Sequence, residues 1–332
     1  MKAAFYEKHG TPADIVVGDV PKPELGAHDV LIRVRAASLN GFDPMMLAGT
    51  TDLKTPMPMI PCGDFAGEIV EMGGMVRNWK VGDRVCPFPF VEGEGMTGET
   101  RRGAAAEYIS MPSVNLLRMP DGLSFEDAAA LPIAYGTAYR MMVERAKVKA
   151  GERVLILGAT GGVGICAVDL AKAAGCEVIA CGSADWKLDL LREQGADHVI
   201  DTSQTDFFDF VKEKFGKPRI LGGGGVDVVI NYIGGDTWVK SMKCLKKNGR
   251  LLTCGATAVF NPTEDIRFIW SFELNVMGSN GWYPNDQVRL MDMVAAGQLK
   301  PCIHAVKPLE ETGQAMQDLI DRNVFGKIII TP

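Results

Sequence analysis

The rhythm of apolar and polar positions changes twice along the chain. Over the first third, apolar residues come in short runs or near-alternation broken by Gly, Pro and Asp. "DVLIRVRAASL" (Asp29–Leu39) and "FAGEIVEMG" (Phe65–Gly73) read as strands, and "WKVGDRVCPF" (Trp79–Phe88) as a tight turn entering another. "EGEGMTGETRRG" (Glu92–Gly103) follows neither period and reads as an exposed loop. "SFEDAAALPIAYGTAYRMM" (Ser124–Met142) switches to helical spacing, with Ser124 as its N-cap. From there the chain alternates. The strands are "RVLILG", "EVIAC", "HVID", "VDVVINYIGG" and "RLLTCGA". The helices between them are "GGVGICAVDLAKAAG", "ADWKLDLLREQG", "DFFDFVKEKFG" and "WVKSMKCLKKNG". Strands alternating with helices of about 10–15 residues predict an α/β fold with a doubly wound parallel sheet. Beyond about Asn261 come a strand ("LNVMGS"), a helix ("DQVRLMDMVAAG") and a last strand ("GKIIIT").

Composition narrows the field only a little. The 332 residues are enough for two domains, and a net charge of −6 gives no electrostatic reason to expect nucleic acid or an anionic membrane as partner. No apolar run reaches the roughly 18 residues of a membrane helix. "MKAAFYEKHG" lacks an apolar signal-peptide core. Eight scattered cysteines contain no C-x-x-C pair. The expectation is a cytoplasmic protein with reduced thiols.

The most informative stretch is "LILGATGGVG" (Leu155–Gly164), which follows a strand and opens a helix. Ala159, Gly161 and Gly164 occupy the three positions of G-x-G-x-x-G, with Gly162 and Val163 between the last two. Such a turn lets backbone approach a pyrophosphate at a helix N-terminus, so dinucleotide binding is expected. NAD-binding versions carry an acid at the end of the second strand; here "IACGSADWK" supplies Gly182, Ser183 and Lys187 instead. A hydroxyl, a cation and the room left by glycine suit a 2′-phosphate, hence NADPH.

Taken together, "AASLNGFD", "PMIPCGDFAGEIVEMG", "VGDRV", "AAAEYI", "ALPIAYGTAY", "GATGGVG", "GSADWKLDLLREQGADHVID", "LKKNGRLLTCGA" and "GKIIITP" resemble the medium-chain dehydrogenase/reductase superfamily over essentially the whole chain. The resemblance implies a GroES-like barrel catalytic domain from residues 1–122 and 262–332, with a Rossmann domain, residues 123–261, inserted. The zinc alcohol dehydrogenases of this superfamily have a cysteine where this chain has Ser38. They have Gly-His-Glu where it has Cys62-Gly63-Asp64, and a four-cysteine zinc lobe where residues 86–107 hold only Cys86. Three protein ligands are needed at a catalytic zinc, so no metal is expected. The chain is instead similar to the zinc-independent quinone oxidoreductase-like branch, whose N-x-x-D element is present as Asn40 to Asp43. Some members place a tyrosine where this chain has Met45, and another, near the 2′-phosphate, where it has Thr202.

Without a metal, an activated alkene is an easier hydride acceptor than a plain ketone, because the developing enolate needs only a few oriented donors. Asn40 is the candidate to orient substrate or nicotinamide; the alternative is a turn residue bonding its own backbone. Asp43 holds Asn40, relays a proton, or caps the helix "PMMLAG". Thr137 is placed near the nicotinamide, or else serves its helix structurally; Asn231 and Gly234 lie at the C-terminal edge of the sheet, where ligands bind. Tyr135 and Tyr139 are further proton-donor candidates, and Trp270, Phe272 and Trp282 candidate pocket walls. The expected reaction is NADPH-dependent reduction of an α,β-unsaturated carbonyl or quinone by a homodimer or homotetramer. One rival is an enoyl-CoA reductase whose Arg101, Arg102 or Arg267 holds CoA phosphates. The other is a non-catalytic, crystallin-like NADPH-binding protein.

Overall fold

A computed structural model describes residues 1–332. The chain forms two compact units, Met1–Ala134 with Pro284–Pro332, and Tyr135–Tyr283. Both boundaries fall later than residues 122 and 261, for reasons of packing. The helix Phe125–Ala130, capped by Ser124 Oγ accepting from the Asp127 amide, lies against the strands Asp29–Leu39 and Asp64–Met72 of the first unit. The strand in "LNVMGS", Asn275–Gly278, pairs with Leu245–Thr253 and so belongs to the second unit.

The first unit is organised around Asp29–Leu39. One edge of this strand pairs antiparallel with Asp64–Met72. The other edge is shared. Its N-terminal half pairs with Tyr108–Pro112 and its C-terminal half with Lys327–Thr331. Register breaks against Asp64–Met72, between Leu31 and Ile32 and again between Val34 and Ala36, mark bulges that let one strand serve both neighbours. Lys327–Thr331 in turn pairs parallel with Ile303–Pro308. The core beneath contains Tyr6, Ile32, Leu47, Met59, Phe65, Ile69 and Ile330, all essentially inaccessible. This register places Ser38 opposite Asp64 and Leu39 opposite Ile328, so Asn40, one residue beyond the strand, lies beside Lys327.

The second unit holds a six-stranded, wholly parallel sheet. Its order is His198–Asp201, Glu177–Gly182, Arg153–Ile156, Val226–Ile230, Leu245–Thr253 and Asn275–Gly278. In chain order this is 3-2-1-4-5-6, the doubly wound arrangement with its topological switch between the first and fourth strands. Two expectations shift. The helix in "WVKSMKCLKKNG" ends at Cys244, and Leu245 already begins the next strand, which carries the turn residue Asn248 at φ 63°. The segment 125–145 is helical but interrupted. Leu131–Tyr135 and Arg140–Arg145 are wound as wider π-helical turns on either side of Gly136–Tyr139.

Candidate active site

The turn "MIPCGDFAG" is held in a conformation that ordinary residues avoid. Cys62 has φ 72°, a strained value for a non-glycine residue. Three anchors over-determine it. The Cys62 amide donates to Asp43 Oδ1 (3.0 Å), the Cys62 carbonyl accepts from the Ala104 amide (2.8 Å), and the side chain is buried in the core. The turn carries Asp64 inward, where both carboxylate oxygens are used. Oδ1 accepts from the Ile133 amide (3.0 Å), and Oδ2 from Asn40 Nδ2 (2.9 Å) with Lys327 Nζ 3.4 Å away.

Asn40 is thereby fixed at both ends. Its Oδ1 accepts from Lys327 Nζ, which also donates to the Leu39 carbonyl (2.9 Å). An ammonium only donates and a carboxylate only accepts, so the amide has one permitted orientation. One Nδ2 hydrogen goes to Asp64, and the second has no acceptor within the protein. Asn40 is 7% exposed, and this second N–H is the polar group of the network with no partner in the protein. Asp43 is the first residue of the helix Asp43–Ala48 rather than its N-cap. Its Oδ2 accepts from the Asn40 amide (2.7 Å), so it holds Asn40 by the backbone.

Burial sets the protonation of the cluster. It pushes the Asp43 carboxyl up to about 6, against the opposing pull of the Asn40 and Cys62 amides and the Lys327 charge. Burial likewise raises Asp64 and lowers Lys327, each being held charged by the other. The residue sequence reasoning missed is Lys327. The signal was a lysine at the head of an otherwise apolar strand, "KIIIT", where only 2% of it is exposed.

In the second unit the glycine turn forms at the C-terminal end of the first strand. The positive φ belongs to Gly158 (68°), not to Ala159, which explains why alanine is tolerated at the first motif position. A Cβ on Gly164 would lie 2.3 Å from the Gly158 carbonyl and 2.6 Å from Tyr232 Oη, so only glycine fits. Tyr232 Oη donates to the same carbonyl (2.6 Å) and braces the turn. Gly161 is exposed with no contact under 3.8 Å for an added Cβ, and the helix Gly162–Ala173 starts directly behind it with Val163 in its first turn. An open glycine before a helix N-terminus is the cradle a pyrophosphate requires, so these residues fit a dinucleotide.

The remaining candidates divide. Gly182 closes the second strand, with Ser183 exposed beside it. Thr202 donates to the Gly182 carbonyl through its amide (2.8 Å) and hydroxyl (3.0 Å). Lys187 lies on the helix Asp185–Glu193, 7% exposed, with Nζ 5.2 Å from the Trp186 ring centroid. Asn231 is spent internally. It donates to Thr237 and Ser241 hydroxyls and accepts from the Ile233 and Gly234 amides, so it shapes the loop after the fourth strand rather than reaching outward. Gly234 is pinned at φ 75°, and a Cβ there would meet the Val259 carbonyl at 2.2 Å. Thr137 is half-buried on Gly136–Tyr139. The candidate aromatics have separate surroundings. Trp270 is 71% exposed, Phe272 stacks on Phe268, and Trp282 packs against Gly136. The arginines are engaged: Arg101 with Glu94, Arg102 with the Pro58 carbonyl, Arg267 with Asp265.

Two family descriptions match the chain: "Alcohol dehydrogenase GroES-like domain" over residues 26–121, and "Zinc-binding dehydrogenase" over residues 162–296. A crotonyl-CoA reductase from Streptomyces avermitilis is 32% identical, over 95% of this chain and 81% of its own. The chain belongs to the medium-chain dehydrogenase/reductase superfamily. A quinone oxidoreductase from Pongo abelii is 29% identical over 99% of this chain and 97% of its own. The crystal structure of an NAD-dependent alcohol dehydrogenase superposes with a TM-score of 0.91 over the full length of both chains, at 30% identity.

Zinc-binding members of this superfamily need a donor set that this chain lacks. A side chain at Gly63 has no room, because a Cβ would sit 2.6 Å from the Thr97 carbonyl and 3.0 Å from Ile133 Cδ1. Asp64 has both oxygens bonded and an ammonium beside it, and the Ser38 hydroxyl donates to the Ile328 carbonyl (3.3 Å). Nowhere do three or more His, Cys, Asp or Glu side chains gather in a way that could hold a metal ion. The residues present do not fit a catalytic zinc.

Proposed function

We propose that this member of the superfamily is an NADPH-dependent, zinc-independent reductase of α,β-unsaturated carbonyls or quinones. The observation that carries the reading is the Asn40–Asp64–Lys327 network. It fixes a neutral amide with one unclaimed N–H, at a position where a zinc ligand set is replaced by an ion pair. A single oriented neutral donor suits an enolate oxygen, which shares its charge with carbon, better than the alkoxide of a plain carbonyl reduction. A bound nicotinamide supplies the hydride. Asn40 orients the carbonyl, Lys327 and Asp64 hold the amide plane, and Asp43 fixes the backbone that carries it.

Gly161, Gly162, Val163 and Gly164 would hold the pyrophosphate, with Ala159 behind them. The NADPH preference rests on Gly182, Ser183 and Lys187, where no carboxylate closes the second strand. Thr137 and Gly234 are retained as cofactor contacts; Asn231 acts through the loop it clamps. The strand Asn275–Gly278 leaves one edge unpaired, with exposed Val276 on it and Ile266 and Trp270 on the preceding helix, which supports a homodimer formed across that edge. No helix is long and apolar enough to cross a membrane, and eight free thiols, six of them buried, favour the cytoplasm.

The 32% likeness to a crotonyl-CoA reductase favours a second reading, reduction of an enoyl thioester. A panel of simple enones, quinones and enoyl-CoA esters, each followed by NADPH absorbance, tests both. Turnover of enones or quinones supports the first reading. Turnover confined to CoA esters replaces it with the second, and stoichiometric NADPH binding without any turnover defeats both.

A further inference from the structure

We propose that Glu99 is the proton donor of the reduction, delivering a proton to the α-carbon of the substrate enolate held at Asn40. The proposal rests on the reductase reading given above.

The segment Glu92–Gly103, which the sequence suggested was a plain exposed loop, is in part a strap laid on the turn Pro61–Asp64. The Gly103 amide donates to the Ile60 carbonyl (2.7 Å), the Ala104 amide to Cys62 (2.8 Å) and the Ala105 amide to Pro61 (3.1 Å). Thr97 and Gly98 are buried against the same turn. A Cβ on Gly98 would be 2.6 Å from the Gly63 nitrogen and 2.9 Å from the Cys62 carbonyl carbon. Glu99 therefore extends from backbone fixed directly over the turn that delivers Asp64 to Asn40. Its own amide is tied to the Met96 carbonyl (3.1 Å).

The side chain itself is half-buried, accepts no hydrogen bond and makes no ion pair. The neighbouring cation, Arg101, is turned to Glu94 at 2.7 Å. The charged groups it feels are the Asp43 and Asp64 carboxylates, the latter beside Lys327. Burial first, and then these two negative neighbours, push the Glu99 carboxyl up to about 7. A half-exposed carboxylic acid that is protonated near neutrality, and not committed to any internal bond, is equipped to give up a proton and recover it from water.

The step balances. As hydride adds to the β-carbon, the alkene π pair becomes the double bond between the α-carbon and the carbonyl carbon, and the carbonyl π pair moves onto oxygen, which accepts from the Asn40 N–H. When the carbonyl re-forms, the α-carbon takes the proton from the Glu99 carboxyl, leaving a carboxylate that water reprotonates. The net consumption is one nicotinamide hydride and one proton per double bond reduced.

The test compares wild type with Glu99→Gln and Glu99→Asp. Loss of a positioned general acid lowers kcat by about 100-fold or more. Glu99→Gln should show that loss with KM for NADPH unchanged, and Glu99→Asp should recover part of it. The wild-type kcat should fall as pH rises through about 7, while the Gln variant should be flat there. Infrared difference titration of the cofactor-free proteins, wild type minus Glu99→Gln, should show one carboxyl band titrating near the same pH. If wild type turns over enones and Glu99→Gln matches its kcat and pH profile, the proton-donor assignment fails and the reductase reading stands. If wild type reduces no enone or quinone, the reductase reading fails and takes this assignment with it.

Discussion

Replacing Lys327 by methionine should destabilise the catalytic unit strongly, and more so at alkaline pH. Methionine keeps most of the length and the apolar stem but removes the ammonium from Asp64, Asn40 and the Leu39 carbonyl. Asp64 is fully buried and keeps only the Asn40 amide and the Ile133 N–H. Breaking one side of a buried ion pair typically costs about 3–5 kcal/mol, because the remaining charge is uncompensated. At roughly 2–4 °C per kcal/mol for a unit of this size, the melting temperature should drop by about 6–20 °C. Asp64 already titrates above its ordinary value through burial, and losing the cation raises it further. A carboxyl whose folded pKa exceeds its unfolded one is destabilising wherever the unfolded state would ionise it. The deficit should therefore be larger at pH 8 than at pH 5. Calorimetry at both pH values measures this. The double variant Lys327→Met with Asp64→Asn should regain at least half of the loss. A melting shift independent of pH, or a double variant as unstable as the single one, would refute the pairing argument.

Other consequences follow from the same geometry. Asn40→Ala should lower kcat by at least tenfold while leaving NADPH affinity within about twofold, since its contacts lie in the catalytic unit; steady-state kinetics with cofactor titration separates the two. Lys187→Ala should weaken NADPH roughly 10- to 150-fold, a charge-assisted hydrogen bond being worth about 1.5–3 kcal/mol, and should leave NADH almost untouched. An equal loss of both cofactors in calorimetric titration would remove the 2′-phosphate role. Gly164→Val should abolish binding of either cofactor, because its first side-chain carbon already lies 2.3 Å from the Gly158 carbonyl; a variant that binds NADPH normally would overturn the cradle.

The Rossmann half was legible because each element obeys one period and is closed by its own punctuation. The helix Gly162–Ala173 ends just before Gly175, which takes φ 77°; in the other unit, Ser124 caps the helix it was expected to cap. The stretch Leu245–Asn248 misled, since lysine-rich polarity suits a solvated helix as well as an irregular strand entry. The active-site cluster was half visible. Asn40 and Asp43 were picked out because they match the N-x-x-D element that the family resemblance implies. Asp64 was read only as a failed zinc ligand, and Lys327 was not read at all, because both meet Asn40 through antiparallel register, Asp64 from a strand 24 residues on and Lys327 from one 287 residues away. Glu99 was hidden for a related reason. Its loop has no periodicity, and only the close approach of Gly98 to Gly63 reveals that it is packed rather than free.

The measurement that tests the central claim most directly is a matched pair of substrates, an enone and its saturated ketone, given with NADPH to protein freed of metal by exhaustive chelation. The constellation at Asn40, Asp64 and Lys327 predicts that the enone is reduced at its double bond at the same rate before and after chelation, and that the ketone is left alone. Reduction of the ketone, or an activity that vanishes on chelation and returns with one zinc per chain, would contradict it.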